Sequence, residues 1–507
     1  MRRRKPGASA PRKSPHDTPL ELTLYLKHRR GPRRRPGSKA DLAELTPRVS
    51  YESLAAERRK LLSSPIAAIR NFAARHGIAV VDANALRRRV TLSASREAAE
   101  RAFGVRLRDV EQDGHWFRYP KRKPTLPPAL ANIVHTVLGF DERSRPGLRG
   151  RAGPAGAQGL LPNAMAALYG LVTPALGDNQ CIALIEPNGG YLASDLAAAC
   201  AAMQVPVPHV VEINVDKGHN AYGENPDADK EVTLDLQVLA GVAPGARLAV
   251  YFTSSSERSL ADALHQAVHD QVNRPTVIVT TWGEAEILWP DQARKAMDLA
   301  LQDAVRLGIT VVIAAGDDLA TDGMTDKAHV DYPASSPYVL ACGGTQITLD
   351  AAGTGIADEV VWNDGTNGTG GGISDVYAVP TFQAKAGIPP SANDGRHGRG
   401  VPDVAASAAK INGYRIVLGG ETVIASGTSG VAPLWGAFIA LLNERRGHAL
   451  GFVNPLLYQA PTLLKPIVSG NNMALGFGYE AGPGWNACAG LGSPKGADII
   501  AALTAIA

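Results

Sequence analysis

The chain has 507 residues, 45% of them hydrophobic and 20% charged, with a formal net charge of +4. That length suggests two to three domains and that composition fills a large core, while 53 glycines and 35 prolines fit a loop-rich α/β enzyme. No apolar run reaches membrane-spanning length, and the four cysteines, Cys181, Cys200, Cys342 and Cys488, form no C-x-x-C pair that would indicate zinc or redox chemistry.

The net charge hides an asymmetry. Residues 1–150 hold 33 Lys and Arg against 14 Asp and Glu, a net +19, and the remainder holds 19 against 34, a net −15. Opposite fields of this kind favour association of the two halves near neutrality, and acid weakens them as carboxylates take up protons. Residues 1–18, with Arg2-Arg3-Arg4-Lys5, read as a basic disordered tail. No aromatic stacking motif accompanies the arginines, so nucleic acid is not expected as a partner. No apolar h-region follows them, so no signal peptide is visible.

Leu20 to Lys27 alternates like a strand, and Tyr51 to His76 reads as a helix with a break expected near Pro65. Ile78–Asp82, Arg89–Leu92 and Val105–Val110 read as strands around a Ser95-capped helix ending at Phe103. Together they predict an α+β domain over 19–146. Residues 147–159 have linker composition and are the natural place for a processing cut. From Cys181 onward, apolar strands alternate with helices: Cys181–Ile185, His209–Val215, Arg247–Phe252, Pro275–Thr281, Ile309–Ala315 and Tyr338–Cys342. The alternation predicts a doubly wound, mostly parallel sheet in an α/β domain over 160–507.

Three features carry chemistry. Glu231 and Asp235 are four apart on a segment reading as helix from Glu231 to Val242, hence on one face. Their neighbours Val232, Leu234, Leu236, Val238 and Leu239 leave little room for a wholly exposed helix, which favours a functional pair over a solvated acidic face. Asp317 follows an apolar strand at the carboxyl edge, where ligands bind in such sheets. Ser429, in Ser426-Gly427-Thr428-Ser429, sits where a Gly-rich turn enters an apolar helix, with Pro433 expected in its first turn. Free N–H groups there favour developing negative charge. His265 and His269, four apart with no third ligand, read as a solvated helix face, and Gly370-Gly371-Gly372 reads as a flexible loop without the context of a phosphate cradle.

The order and spacing of Val238-Leu239-Ala240-Gly241-Val242-Ala243-Pro244-Gly245, Ala314-Ala315-Gly316-Asp317, Asp331-Tyr332-Pro333-Ala334, Cys342-Gly343-Gly344-Thr345, Arg399-Gly400-Val401-Pro402-Asp403 and Gly482-Pro483-Gly484-Trp485 resemble the sedolisin family of serine-carboxyl peptidases, in its kumamolisin-like branch. The resemblance implies a subtilisin-like fold preceded by an activation propeptide that inhibits its own enzyme. By position it makes Ser429 the nucleophile, Glu231 its general base, Asp235 the residue that orients and tunes that base, and Asp317 an oxyanion donor. Glu186 and Trp282 match the outer members of the family's hydrogen-bond network, and Asp331, Gly283 and Gly371 its substrate cleft. A carboxylate base, with a pKa of roughly 4, suits acid, and a neutral aspartic acid can donate to an oxyanion.

The expectation is an acid-acting, self-processing serine-carboxyl endopeptidase acting on proteins or peptides. It is expected to be secreted, monomeric and without a membrane span or required cofactor. The alternatives are a catalytically inactive peptide-binding homologue or a tripeptidyl exopeptidase of the same family. A His-dependent subtilisin-like enzyme is disfavoured because no histidine lies in a Gly-rich helix start. The resemblance also implies calcium, held by two Asp side chains and backbone carbonyls. The equivalent positions here are Pro466, Ile467, Gly482, Gly484 and Asn486, with Pro466 and Asn486 standing where the carboxylates would be. Calcium is a hard cation that wants charged oxygens, so it is not expected to bind well.

Overall fold

Leu20, Leu22, Leu24 and Leu26 are all fully buried, so the strand Leu20–Leu26 belongs inside a sheet rather than at its margin. It pairs antiparallel with Arg89–Ala94 on one side and Val134–Leu138 on the other, in a four-stranded sheet completed by Ala79–Asn84. These strands belong to a computed structural model that describes residues 18–27, 49–112, 115–143, 151–152 and 159–504. The basic tail up to residue 17 lies outside the described residues, as does most of the 147–159 linker.

The helix Tyr51–Arg75 lays Leu62, Ile69, Phe72 and Ala73 into the same core as the strand leucines. Pro65 sits inside this helix without ending it, contrary to expectation. Phe72, Phe103 and Phe140 meet edge to face, with centroids 5.8 and 5.4 Å apart, the geometry their ring quadrupoles favour. Ser95 caps the helix Arg96–Phe103 by accepting the Ala98 N–H, as its sequence signal implied, and Gly104 ends it in the left-handed region at φ 59°. The strand expected at Val105–Val110 runs Leu107–Gln112 and forms a hairpin with His115–Pro120. That second strand mixes aromatic and charged residues and carries no clean apolar alternation.

The larger unit is built on an eight-stranded sheet. Its path is Ile356–Val361, Leu340–Leu349, Thr310–Ala314, Val277–Thr280, Cys181–Pro187, Arg247–Thr253 and Val210–Asn214, with Val404–Ser407 also pairing on Leu340–Leu349. Every pairing is parallel except that of Ile356–Val361. The central strands are buried along their whole length, which is why they read as continuous apolar runs rather than alternating ones.

The helices Pro226–Val242 and Thr428–Arg446 pack against each other, and the second lies along the sheet's central strands. The latter is buried from Thr428 through Asn443, consistent with its lack of a polar face. Pro433 falls in its second turn, not its first. The missing proline N–H therefore costs the helix one internal bond, the one to the Ser429 carbonyl. His265 and His269 are buried, not solvated. His265 Nε2, on the helix Glu257–Val268, bonds the Ala296 carbonyl oxygen at 2.9 Å, and His269, just past that helix, bonds Asp303 at 3.0 Å, so both join this segment to the helix Asp291–Leu307.

Beneath the sheet edge, Arg399 and Asp403 form a fully buried bidentate pair at 2.9 and 2.6 Å. Asp403 also accepts the Ala341 N–H and the Tyr458 hydroxyl, both at 2.8 Å. Removing one partner of such a pair leaves a buried charge uncompensated. Arg399→Met is expected to cost about 3–5 kcal/mol, read as a lower urea midpoint. A loss below ~1 kcal/mol, the range of exposed pairs, would show that water reaches the pair.

Candidate active site

The carboxyl ends of three adjacent parallel strands deliver the first groups. Cys181–Pro187 carries Glu186 as its last residue but one, Val277–Thr280 is followed by Thr281 and Trp282, and Thr310–Ala314 is followed shortly by Gly316 and Asp317. The helix Pro226–Val242 supplies Glu231 and Asp235. Asn225 caps it by accepting the Ala228 N–H, so the helix starts before Glu231 rather than at it. Glu186, Glu231, Asp235, Asp317 and Ser429 are all buried.

Asp235 and Glu186 are buried near enough for the charge of one to act on the other. Thr281 Oγ1 donates to Asp235 Oδ2 at 2.8 Å, and Trp282 Nε1 donates to Glu186 Oε2 at 2.7 Å. Burial pushes both carboxyls well above the usual range, and the nearby charge of Glu231 pushes them the same way. The bonds from Trp282 and Thr281 pull in the opposite direction without reversing it. The pair therefore holds protons to higher pH than free carboxylic acids do.

Ser429 is the second residue of its helix, whose cap is Gly427 at φ 120°, a conformation essentially reserved for glycine. At that position the Ser429 N–H has no partner within the helix. Its hydroxyl makes no hydrogen bond to the protein, so the expected bond to Glu231 is not formed in this structure. Catalytic bonds are often long before substrate arrives.

Asp317 is fixed beside the serine through Thr428. Its Oδ1 accepts both the Thr428 N–H and the Thr428 hydroxyl, each at 2.8 Å. The same hydroxyl accepts the Gly316 N–H at 3.2 Å. Thr428 and Thr281 were not singled out from sequence. A hydroxyl next to a motif residue carries no signal until its carboxylate partner, far away in the chain, is known.

Lys230 was also missed. It is only 7% exposed, and burial pushes its ammonium down to about 8 against the pull of Glu231, Asp227 and Asp317. It remains a cation throughout the acid range.

The remaining expected residues fall in two places. Asp331 is buried against Gly283, where a Cβ would come within 2.1 Å of its Oδ1, so only glycine fits that approach. Gly371 belongs to a segment held alongside Asp317: Gly368 N–H donates to the Asp317 carbonyl and Gly370 N–H to the Gly316 carbonyl, at 2.9 and 2.8 Å. The backbone of Arg151–Ala152 pairs antiparallel with Ala425–Ser426, just ahead of Ser429 in the chain. At the C-terminus, Ile467, Gly482 and Asn486 come together, whereas Pro466 brings no side-chain oxygen and Gly484 makes no bond to Asn486. No group of three or more metal-ligating side chains occurs among the described residues.

A profile of the subtilase family matches residues 218–456, and one described as the pro-kumamolisin activation domain matches residues 53–143. Kumamolisin from Bacillus sp. (strain MN-32) is 39% identical, covering 96% of this chain and 92% of that protein. Tripeptidyl-peptidase 1 from Canis lupus familiaris is 27% identical over 75% of this chain and 71% of its own length. The solved Pseudomonas sedolisin, a serine-carboxyl proteinase complexed with two molecules of pseudo-iodotyrostatin, aligns with a TM-score of 0.63 at 29% identity. That alignment covers 69% of this chain and 99% of the sedolisin. The chain thus belongs to the sedolisin family of serine-carboxyl peptidases, in its kumamolisin-like branch, with an activation domain ahead of a subtilisin-like enzyme unit.

Proposed function

We propose that this chain is the zymogen of an acid-acting endopeptidase in which Ser429 is the nucleophile and Glu231 its general base. The observation that carries the reading is the Asp317–Thr428 contact, which fixes a carboxyl group beside a buried serine at a helix start. The buried histidines bond elsewhere: His265 to Ala296, His269 to Asp303 and His329 to Asp326. This supports a carboxylate as the base.

In the proposed reaction, Ser429 Oγ attacks the scissile carbonyl as Glu231 takes its proton. Asp317 Oδ1 accepts two bonds from Thr428, and in this reading Oδ2 carries the proton that is donated to the oxyanion. The N–H of Ser429, which has no partner within its helix, is the second donor. Glu231 then returns its proton to the leaving amine, and water hydrolyses the acyl-enzyme by the reverse sequence. Asp235, backed by Glu186, Thr281 and Trp282, orients and tunes Glu231.

The near full-length match to kumamolisin favours an endopeptidase over the tripeptidyl alternative. Its substrates are proteins or peptides, and export to an acidic extracellular setting follows from the same reading. No helix among the described residues is long and apolar enough to cross a membrane. The domain matching the pro-kumamolisin activation model is the intramolecular inhibitor, with boundaries at 19–146, a cleavable linker at 147–159 and the enzyme at 160–507. Pairing of Arg151–Ala152 beside the serine's strand supports cleavage in that linker.

Ser429→Ala and Glu231→Gln are each expected to leave the full-length chain intact at acid pH and to abolish casein digestion. Asp317→Ala should lower kcat/KM by roughly 10²–10³-fold, the loss of one oxyanion donor. Near-normal turnover in any of these variants removes that residue from the mechanism. Release of tripeptides alone from a long peptide would establish the exopeptidase alternative.

Lys230 is a cation beside both working carboxyls, so it favours their charged forms. Lys230→Met should shift both limbs of the kcat/KM profile to higher pH. Unmoved limbs would mean that solvent screens it.

The Glu186–Asp235 pair also makes a prediction for stability. Unfolded carboxyls release their protons near pH ~4, while the folded pair retains them. Its contribution is complete below that pH and is lost as pH rises through the raised folded values. In the Ser429→Ala background, adding Glu186→Gln and Asp235→Asn should flatten the fall in melting temperature between acid and neutral pH. Parallel curves would show that the pair does not titrate differently on folding.

A further inference from the structure

The family to which the chain belongs binds calcium, and the two positions equivalent to its carboxylate ligands are Pro466 and Asn486. The structure shows what the second of these does. Asn486 is 6% exposed and has a full set of partners. Its Nδ2 donates to the carbonyl oxygens of Ile467 and Gly482 at 2.9 and 3.1 Å. Its Oδ1 accepts the N–H groups of Cys488 and Ala489 at 3.2 and 3.0 Å. The backbone of Asn486 bonds Gly490 in both directions, at 3.1 and 2.9 Å.

These partners decide which way round the carboxamide lies. Two backbone donors sit on one side and two carbonyls on the other, so only one orientation makes four bonds, and the reverse makes four repulsive contacts. The amide NH₂ therefore stands between the Ile467 and Gly482 carbonyls, where a cation shared by the same two oxygens would have to sit. Calcium needs oxygens at about 2.3–2.6 Å, and a nitrogen bearing two hydrogens cannot share that space. Turning the amide over to offer its oxygen would aim its hydrogens at the Cys488 and Ala489 N–H groups.

An aspartate at this position would behave differently. One carboxylate oxygen could still accept the two N–H groups, but the other would face two carbonyl oxygens with no proton between them. That arrangement needs a cation. An amide carries its own positive end there and needs none. With Pro466 supplying no side-chain ligand, the residues present do not fit calcium. We propose that the Asn486 carboxamide replaces the calcium ion, so that this loop closes through internal hydrogen bonds and the protein folds and acts without the metal.

The test uses the full chain with Ser429→Ala, which prevents self-digestion, and compares it with a Pro466→Asp/Asn486→Asp version of the same protein. Equilibrium dialysis and thermal unfolding are measured in excess EGTA and then in millimolar calcium. The protein with Asn486 is expected to bind no calcium and to melt at the same temperature in both solutions. The double variant is expected to melt several degrees lower in EGTA and to recover in calcium, the signature of a ligand that binds only the folded state. If the double variant does not fold, the measurement on the Asn486 protein decides alone. One bound equivalent of calcium, or a calcium-dependent rise of several degrees with Asn486 in place, would overturn the proposal. So would a folded double variant indifferent to calcium.

Discussion

The carboxylate of Asp317 joins two parts of the fold that each end in unsatisfied polar groups. The sheet's carboxyl edge stops at Ala314, and the helix that carries Ser429 begins at Thr428 with free N–H groups. Asp317 Oδ1 takes a backbone and a side-chain donor from Thr428, and Thr428 Oγ1 takes the Gly316 N–H in return. A buried carboxyl left without such bonds would cost several kcal/mol, so the contact constrains both the strand end and the helix start. The position of Ser429 relative to the sheet follows from it, and the φ of 120° at residue 427 is what requires glycine there.

The parallel strands were legible because burial on both faces leaves no choice but Val, Ile, Leu and Ala. The helix of Glu231 and Asp235 was legible for a related reason, since its apolar neighbours left no solvent face. Spacing alone did not serve for His265 and His269. Positions four apart share a face, but nothing local says whether that face meets water or the neighbouring helix Asp291–Leu307. Pro65 and Pro433 show the limit of reading proline as a boundary. Tertiary packing around Leu62 and Ile69, and around the Ser429 helix where it is buried, outweighs one lost hydrogen bond. Thr281 and Thr428 were illegible because their meaning lies in partners 46 and 111 positions away, Asp235 and Asp317, and Lys230 because nothing local says that its ammonium is buried.

The site and the C-terminal loop solve one electrostatic problem in two ways. A carboxylate in low dielectric needs a proton, a donor or a cation beside it. In the site all three appear. Glu186 and Asp235 retain protons because they are buried together, Thr428 supplies donors to Asp317, and Lys230 supplies a cation. In the C-terminal loop, the carboxylate itself is gone and Asn486 fills its place with a neutral group whose four hydrogen bonds are all met.

The difference follows from what each place has to do. A loop only has to stay closed, so a neutral amide serves it at any pH. A site proposed to move protons cannot be neutralised in that way, because amides neither take nor give them. Its carboxyls must stay carboxyls, and burial then ties their protonation to the solution. In the proposed mechanism Glu231 has to be ionised to accept the serine proton while Asp317 has to be neutral to donate to the oxyanion. In water these two acids would titrate within about one unit of each other, so only the environment can separate them. Around Glu231 that environment is the Glu186–Asp235 pair, which retains protons and so adds no full negative charge. Acid activity, on this reading, is the direct consequence of building the proton relay from buried carboxyls rather than from histidine.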